Sequence, residues 1–135
     1  MEKQKYAAIV LAAGSGKRMN SKVHKQYLII QDRPVLYYSL KAFEDSAVDE
    51  IVLVVGKGEE KFCRKEIVDK YGISKVKAIV EGGKERYHSV FEGLKQTSDA
   101  DYVLIHDGAR PFVNQDIIRR CMQEVQKYQA CVVGM

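Results

Sequence analysis

The sequence predicts an α/β fold, a three-layer sandwich with helices on both faces of a mostly parallel sheet. Two observations carry that expectation. Apolar runs of strand length alternate with segments of helical period, and the runs are nearly continuous in apolar residues, as strands covered on both faces must be. Alternation at these lengths also implies right-handed crossovers, which keep successive strands parallel.

In chain order, Tyr6–Ala12 (YAAIVLA) is the first strand. A helix is predicted from about Pro34 to Asp45, with Pro34 in its first turn and Leu36, Leu40 and Phe43 on one face. Glu50–Val55 is the second strand. The helix after it, about Glu59 to Tyr71, is expected to bury Phe62, Ile67 and Tyr71 and to stop at Gly72. Val76–Val80 is a third strand, Glu85–Gln96 a third helix and Tyr102–His106 a fourth strand. A last helix, Gln115–Tyr128, takes Asn114 as its cap and is expected to bury Ile117, Cys121, Val125 and Tyr128. Ala130–Val133 then reads as a central strand. The sheet is Rossmann-like on this reading. A central strand with no helix to cover it would leave a bare apolar face, so the natural polypeptide is expected to continue past Met135.

At 135 residues the chain is one domain, and its 46% hydrophobic and 30% charged residues are ordinary for a soluble globular protein. No apolar run approaches the ~20 residues of a membrane span, and the N-terminus lacks a signal-peptide pattern, which makes the cytoplasm the default compartment. Cys63, Cys121 and Cys131 form no CxxC pair and read as reduced thiols. The net charge of +4 is local: residues 1–25 carry six basic side chains against Glu2 alone, and the other 110 residues sum to −1. Between Gly14 and Lys25 stand Lys17, Arg18, Lys22 and Lys25 with no acid. Nucleic acid is met by basic residues spread over a face with interleaved aromatics. A compact polyanion such as a triphosphate matches this concentrated charge better.

The first strand runs into Ala12-Ala13-Gly14-Ser15-Gly16-Lys17-Arg18-Met19. Ligands of open α/β sheets bind beyond the carboxyl ends of strands. Small residues there let backbone N–H groups approach an anion, and the adjacent cations add fixed charge. Alternatively, the loop is only a glycine-rich chain reversal. Two familiar motifs fail. GxGxxG would need glycine at Met19 and an acid at the end of the next strand, where Val54-Val55-Gly56-Lys57 has none. No Gly-Lys-Ser/Thr triplet follows a glycine at P-loop spacing either, and the dinucleotide failure discourages a dehydrogenase.

Four segments in this order resemble a known family. They are Leu11–Met19, Lys25-Gln26-Tyr27, Gly82-Gly83-Lys84-Glu85-Arg86-Tyr87-His88-Ser89-Val90, and His106-Asp107-Gly108-Ala109-Arg110-Pro111. Together they are similar to 2-C-methyl-D-erythritol 4-phosphate cytidylyltransferases, nucleotidyltransferases of the non-mevalonate isoprenoid precursor pathway. Gly108 departs from the alanine that the family often carries, a small-for-small exchange.

The resemblance implies transfer of CMP from CTP to a polyol phosphate, with release of pyrophosphate and a divalent cation, Mg²⁺ or another. Residues 1–135 would be the CTP-binding portion of a single nucleotidyltransferase domain. The missing part would supply polyol-phosphate contacts and a dimerising arm, making the full-length form a homodimer and this chain alone largely inactive. Nucleic acid and membrane are not expected partners.

Residue by residue, the resemblance assigns catalysis to Arg18 and Lys25, which would stabilise the charged phosphorus, although Lys25 also fits an ordinary surface lysine. Ala12, Ala13, Gly14, Ser15 and Gly16 would cradle ribose and phosphates. Gly83 and Lys84 would meet cytosine through their backbone, Ser89 through its side chain, and Arg86 would orient the turn. Gly82-Gly83 could instead merely link strand to helix. Asp107 would bind in the nucleotide site and hold the metal, directly or through water, or else cap the next helix or pair with Arg110. His24, His88 and His106 lie on separate segments and read as structural or surface residues. Two other functions stay open: a ribitol-5-phosphate cytidylyltransferase, and a CTP-binding fragment without turnover.

Overall fold

The computed structural model describes residues 4–12, 29–30, 33–108, 114–128 and 130–133. Five parallel strands form the sheet: β1 (Tyr6–Ala12), β4 (Glu50–Val55), β5 (Val76–Glu81), β6 (Tyr102–Asp107) and β7 (Ala130–Val133), in the order β5-β4-β1-β6-β7. A two-residue antiparallel pair, β2 (Ile29–Ile30) with β3 (Arg33–Pro34), precedes the first helix. The helices are α1 (Val35–Glu44), α2 (Glu60–Cys63), α3 (Arg86–Lys95) and α4 (Gln115–Tyr128). The predicted α/β class and all five main strands are present, but β7 lies at the edge of the described sheet rather than at its centre.

Burial explains the strand pattern. Ala7–Ala12 of β1 and all of β4 are buried, because helices cover both of their faces. On one face α1, α2 with the π-helical turn Arg64–Asp69 that continues it, and α4 supply Leu36, Leu40, Phe43, Cys63, Ile67, Val68 and Ile118 to a core with Val10, Leu53, Val55 and Leu104. On the other face Ile9, Leu11, Val52 and Val54 pack with Val90 of α3. The outer face of α3 leaves Tyr87 and Phe91 67% and 57% exposed.

Three side-chain expectations need correction. Helix α2 passes into a π-helical segment, Arg64–Asp69, so Cys63, Ile67 and Val68 turn inward and Phe62 is exposed. The wider π-turn brings residues five apart onto one face. Gly72 does end the helix, with φ of +64°. In α4, Asn114 caps as expected, its Oδ1 accepting from the Ile117 amide at 2.9 Å, but Ile118 rather than Ile117 enters the core. Cys63 is free, whereas Cys121 is disulfide-bonded, against the expectation of reduced thiols. Helix α4 packs back along β6 and β7, so spacing along the chain did not reveal this.

Ionic groups tie the amino ends of the strands together. The Lys5 ammonium reaches Asp99 at 2.6 Å and buried Glu50 at 3.3 Å, and the Lys77 ammonium meets the same two carboxylates at 3.4 and 2.9 Å. Glu44 closes the approach to β5 by accepting from Ser74 Oγ and from the Lys75 amide. Burial pushes the Glu44 carboxyl up, but the hydrogen bonds from Ser74 and Lys75 outweigh it and hold its pKa below the ordinary value. A depressed carboxyl stabilises the fold above the unfolded pKa, and that contribution disappears as pH falls through the folded value. Glu44→Gln should therefore be less stable than the parent at pH about 7, with the gap closing towards pH about 3. Urea midpoints across that range check this, and a constant gap would assign the cost to shape instead.

Candidate active site

Strand order fixes where a ligand can enter. After β1 the chain moves to β4 and β5 on one side, then crosses by α3 to β6 on the other. Such a switch opens a crevice at the carboxyl ends of the two diverging strands, here β1 and β6. Their register places Leu11 opposite Asp107, so Ala12 and Asp107 stand together at that crest. Ala12 is buried; Asp107 is partly exposed. Ala13, Gly14, Ser15, Gly16, Arg18 and Lys25 lie outside the described residues, as do His24 and Arg110.

Helix α3 brings the third motif to the same crest. It runs antiparallel to the strands, and a Cβ added at Gly93 would stand 2.7 Å from Ile9 Cγ2 and 3.3 Å from Val54 Cγ2. Only a missing side chain lets the helix sit that low. The entry to α3 is equally constrained. His88 folds back so that its Nδ1 accepts from the Glu85 amide at 3.4 Å, an N-terminal capping contact. A Cβ at Gly83 would then be 2.2 Å from His88 Cβ, so this turn requires glycine. Gly83 and Lys84 are exposed on it, whereas Ser89 is buried at 4% exposure.

Arg86, the first residue of α3, points its Nη1 toward Asp107 Oδ2 at 4.0 Å. Asp107 therefore has Arg86 as an ionic neighbour, a contact that neither expected role, helix cap or partner of Arg110, included. The positive end of the α3 dipole lies at the same place. Among the described residues no group of three or more His, Cys, Asp or Glu could hold a metal. The partly exposed Asp107 carboxylate is of the kind Mg²⁺ takes, since that ion uses one or two carboxylates and completes its shell with phosphate oxygens and water.

Sequence reasoning passed over a second layer behind Asp107. Buried His106 places Nε2 3.1 Å from Ser39 Oγ on α1, and Ser39 Oγ lies 3.4 Å from the Gly108 carbonyl. The Gly108 amide donates to the Leu11 carbonyl at 2.8 Å. Gly108 is also tighter than a small-for-small exchange suggests: a Cβ there would meet Leu36 Cδ1 at 2.8 Å and the Leu11 carbonyl at 3.1 Å. The structural expectation for His106 holds; a His-Asp pair at a strand end gave no sign of its partner on α1.

The model of the 2-C-methyl-D-erythritol 4-phosphate cytidylyltransferase family matches residues 6–135. A protein of that name from Lachnoclostridium phytofermentans is 54% identical over 132 residues, 98% of this chain and 57% of the relative. Another, from Lachnospira eligens, is 54% identical over 128 residues, 94% of this chain and 56% of the relative. The chain thus spans just over half the length of the curated relatives it matches. Among solved structures, the 4-diphosphocytidyl-2C-methyl-D-erythritol synthase of Anaerococcus prevotii superposes with a TM-score of 0.75 at 31% identity, covering 92% of this chain and 52% of that one.

Proposed function

Because the chain belongs to the 2-C-methyl-D-erythritol 4-phosphate cytidylyltransferase family, we propose that it forms the CTP-binding portion of an enzyme transferring CMP from CTP to that polyol phosphate. The observation that carries the reading is the meeting of Ala12, Asp107 and Arg86 at the crest where β1 hands over to the cationic loop. Family membership favours it over ribitol 5-phosphate as acceptor. A phosphate oxygen of the polyol phosphate attacks the α-phosphorus of CTP; the new P–O bond forms as the bond to the β-phosphate breaks, releasing pyrophosphate.

Both reactants are anionic, so positioning and fixed positive charge do most of the work. Arg18 and Lys25 neutralise the charge that grows on the phosphorus, the first as a fork and the second as a point charge. The backbone of Ala12 to Gly16 holds the ribose and phosphates. The turn at Gly83 and Lys84 presents its backbone edge-on to cytosine, Ser89 adds a side-chain contact, and Arg86 orients the turn. Asp107 holds Mg²⁺ or a similar divalent cation, directly or through water. When bound, that ion offsets phosphate charge.

The polyol-phosphate contacts and self-association as a homodimer belong to the longer protein that the relatives represent, and residues 1–135 alone bind CTP with little turnover. No helix of the described residues is long and apolar enough to cross a membrane. Calorimetric titration of the chain with CTP and Mg²⁺ tests the reading. Binding should favour CTP over ATP, and Asp107→Asn should weaken the Mg²⁺-supported affinity by about tenfold. Unchanged Mg²⁺ dependence in that variant would remove the metal role from Asp107.

A further inference from the structure

We propose that Ser39 and His106 form a buried relay that fixes the turn carrying Asp107, making them a positioning pair for the metal-facing carboxylate. The inference deepens the reading of Asp107 given above and rests on it. Both side chains are fully buried, on α1 and β6, and neither reaches the crest itself.

Proton accounting gives the relay a direction. A serine hydroxyl carries one proton. The Gly108 carbonyl can only accept, so the contact at 3.4 Å requires that proton from Ser39. With that proton directed at the carbonyl, the relay assigns the donor role in the 3.1 Å contact to His106 Nε2. The order is Nε2–H to Oγ, then Oγ–H to the carbonyl, with His106 protonated on Nε2. Phe43 sets the plane of the ring, edge to face at 5.6 Å between centroids.

The effect falls on the peptide units next to Asp107. The Gly108 N–H is tied to Leu11 at the end of β1, and its C=O is tied through Ser39 to α1. With both ends of residue 108 held, the backbone leaving Asp107 cannot rotate, and its carboxylate keeps its heading toward the crevice and Arg86. Preorganisation of this kind raises the hold of a carboxylate on a cation, because less rotation has to be frozen when the ion binds.

The test uses the 135-residue chain labelled with ¹⁵N. Long-range ¹H–¹⁵N spectra should show His106 protonated on Nε2, and protonation on Nδ1 instead would overturn the relay. Ser39→Ala and His106→Phe should each speed amide exchange at Gly108 and weaken CTP binding about fivefold in Mg²⁺, with little change in its absence. His106→Gln, which keeps a side-chain N–H donor, should recover most of the loss. Equal losses with and without Mg²⁺, or no recovery by glutamine, would show a merely structural role. If the parent binds no CTP, the nucleotide-site reading fails separately. The relay is then judged by the tautomer and the Gly108 exchange rate, and fails if Ser39→Ala leaves that rate unchanged.

Discussion

Arg18→Ala is expected to lower kcat by on the order of 10²–10³-fold while changing CTP affinity by less than about fivefold, measured in a protein of the relatives' full length. The asymmetry follows from when the charge appears. On the function proposed above, ground-state CTP would already share its charge with the glycine loop, Lys25 and the metal. Negative charge builds on the α-phosphorus only as the incoming oxygen adds, and an interaction made at that moment enters kcat alone. Lysine at position 18 should restore only part of the rate, because it lacks the planar fork that spans two phosphate oxygens. Single-turnover rates beside calorimetric affinities for CTP separate the two quantities. Equal losses in both would place Arg18 on the bound nucleotide rather than on the transition state.

Phe43→Ala is expected to remove about 3–5 kcal/mol of folding free energy, the largest stability effect of any substitution discussed. Phe43 is fully buried where α1 meets the sheet, and its ring lies against His106. Truncation loses the transfer free energy and leaves a cavity that the covered strands cannot collapse to fill. A domain this size holds about 5–15 kcal/mol in all, so the variant would sit close to the edge of folding. Urea titration should show a lower midpoint with an unchanged slope. A loss below about 1 kcal/mol would mean that the α1 side of the core repacks freely.

The covered strands were legible because burial on both faces erases alternation: Tyr6–Ala12 and Glu50–Val55 match their observed bounds, and the bounds of Ala130–Val133 match as well. Side-chain direction was less legible. Phe62 and Cys63 are both apolar neighbours, and only the π-turn after them decides which enters the core. Ile117 and Ile118 pose the same ambiguity, since a period of 3.6 residues accommodates either with Cys121. The pair Ile29–Ile30 with Arg33–Pro34 is too short for any periodicity to register.

At the site, the convergence of Ala12 and Asp107 was foreseeable from the rule for open parallel sheets. The approach of Arg86 to Asp107 was not, because it depends on how low α3 settles. The tie between Ser39 and His106 spans 67 residues and joins two polar side chains that a linear reading assigns to a helix and a strand end.

The vacant side-chain position at Gly93 has a mechanical consequence. It lies seven residues from Arg86, about 10 Å along the α3 axis, with Ile9 and Val54 as the fulcrum beneath it. Bulk added at the fulcrum tips the whole rod, and the guanidinium at its far end swings through the longer arc. The reach of Arg86 toward Asp107 is thereby geared to an interior methyl count: Gly93→Ala is expected to leave the sheet intact and shift that 4.0 Å contact.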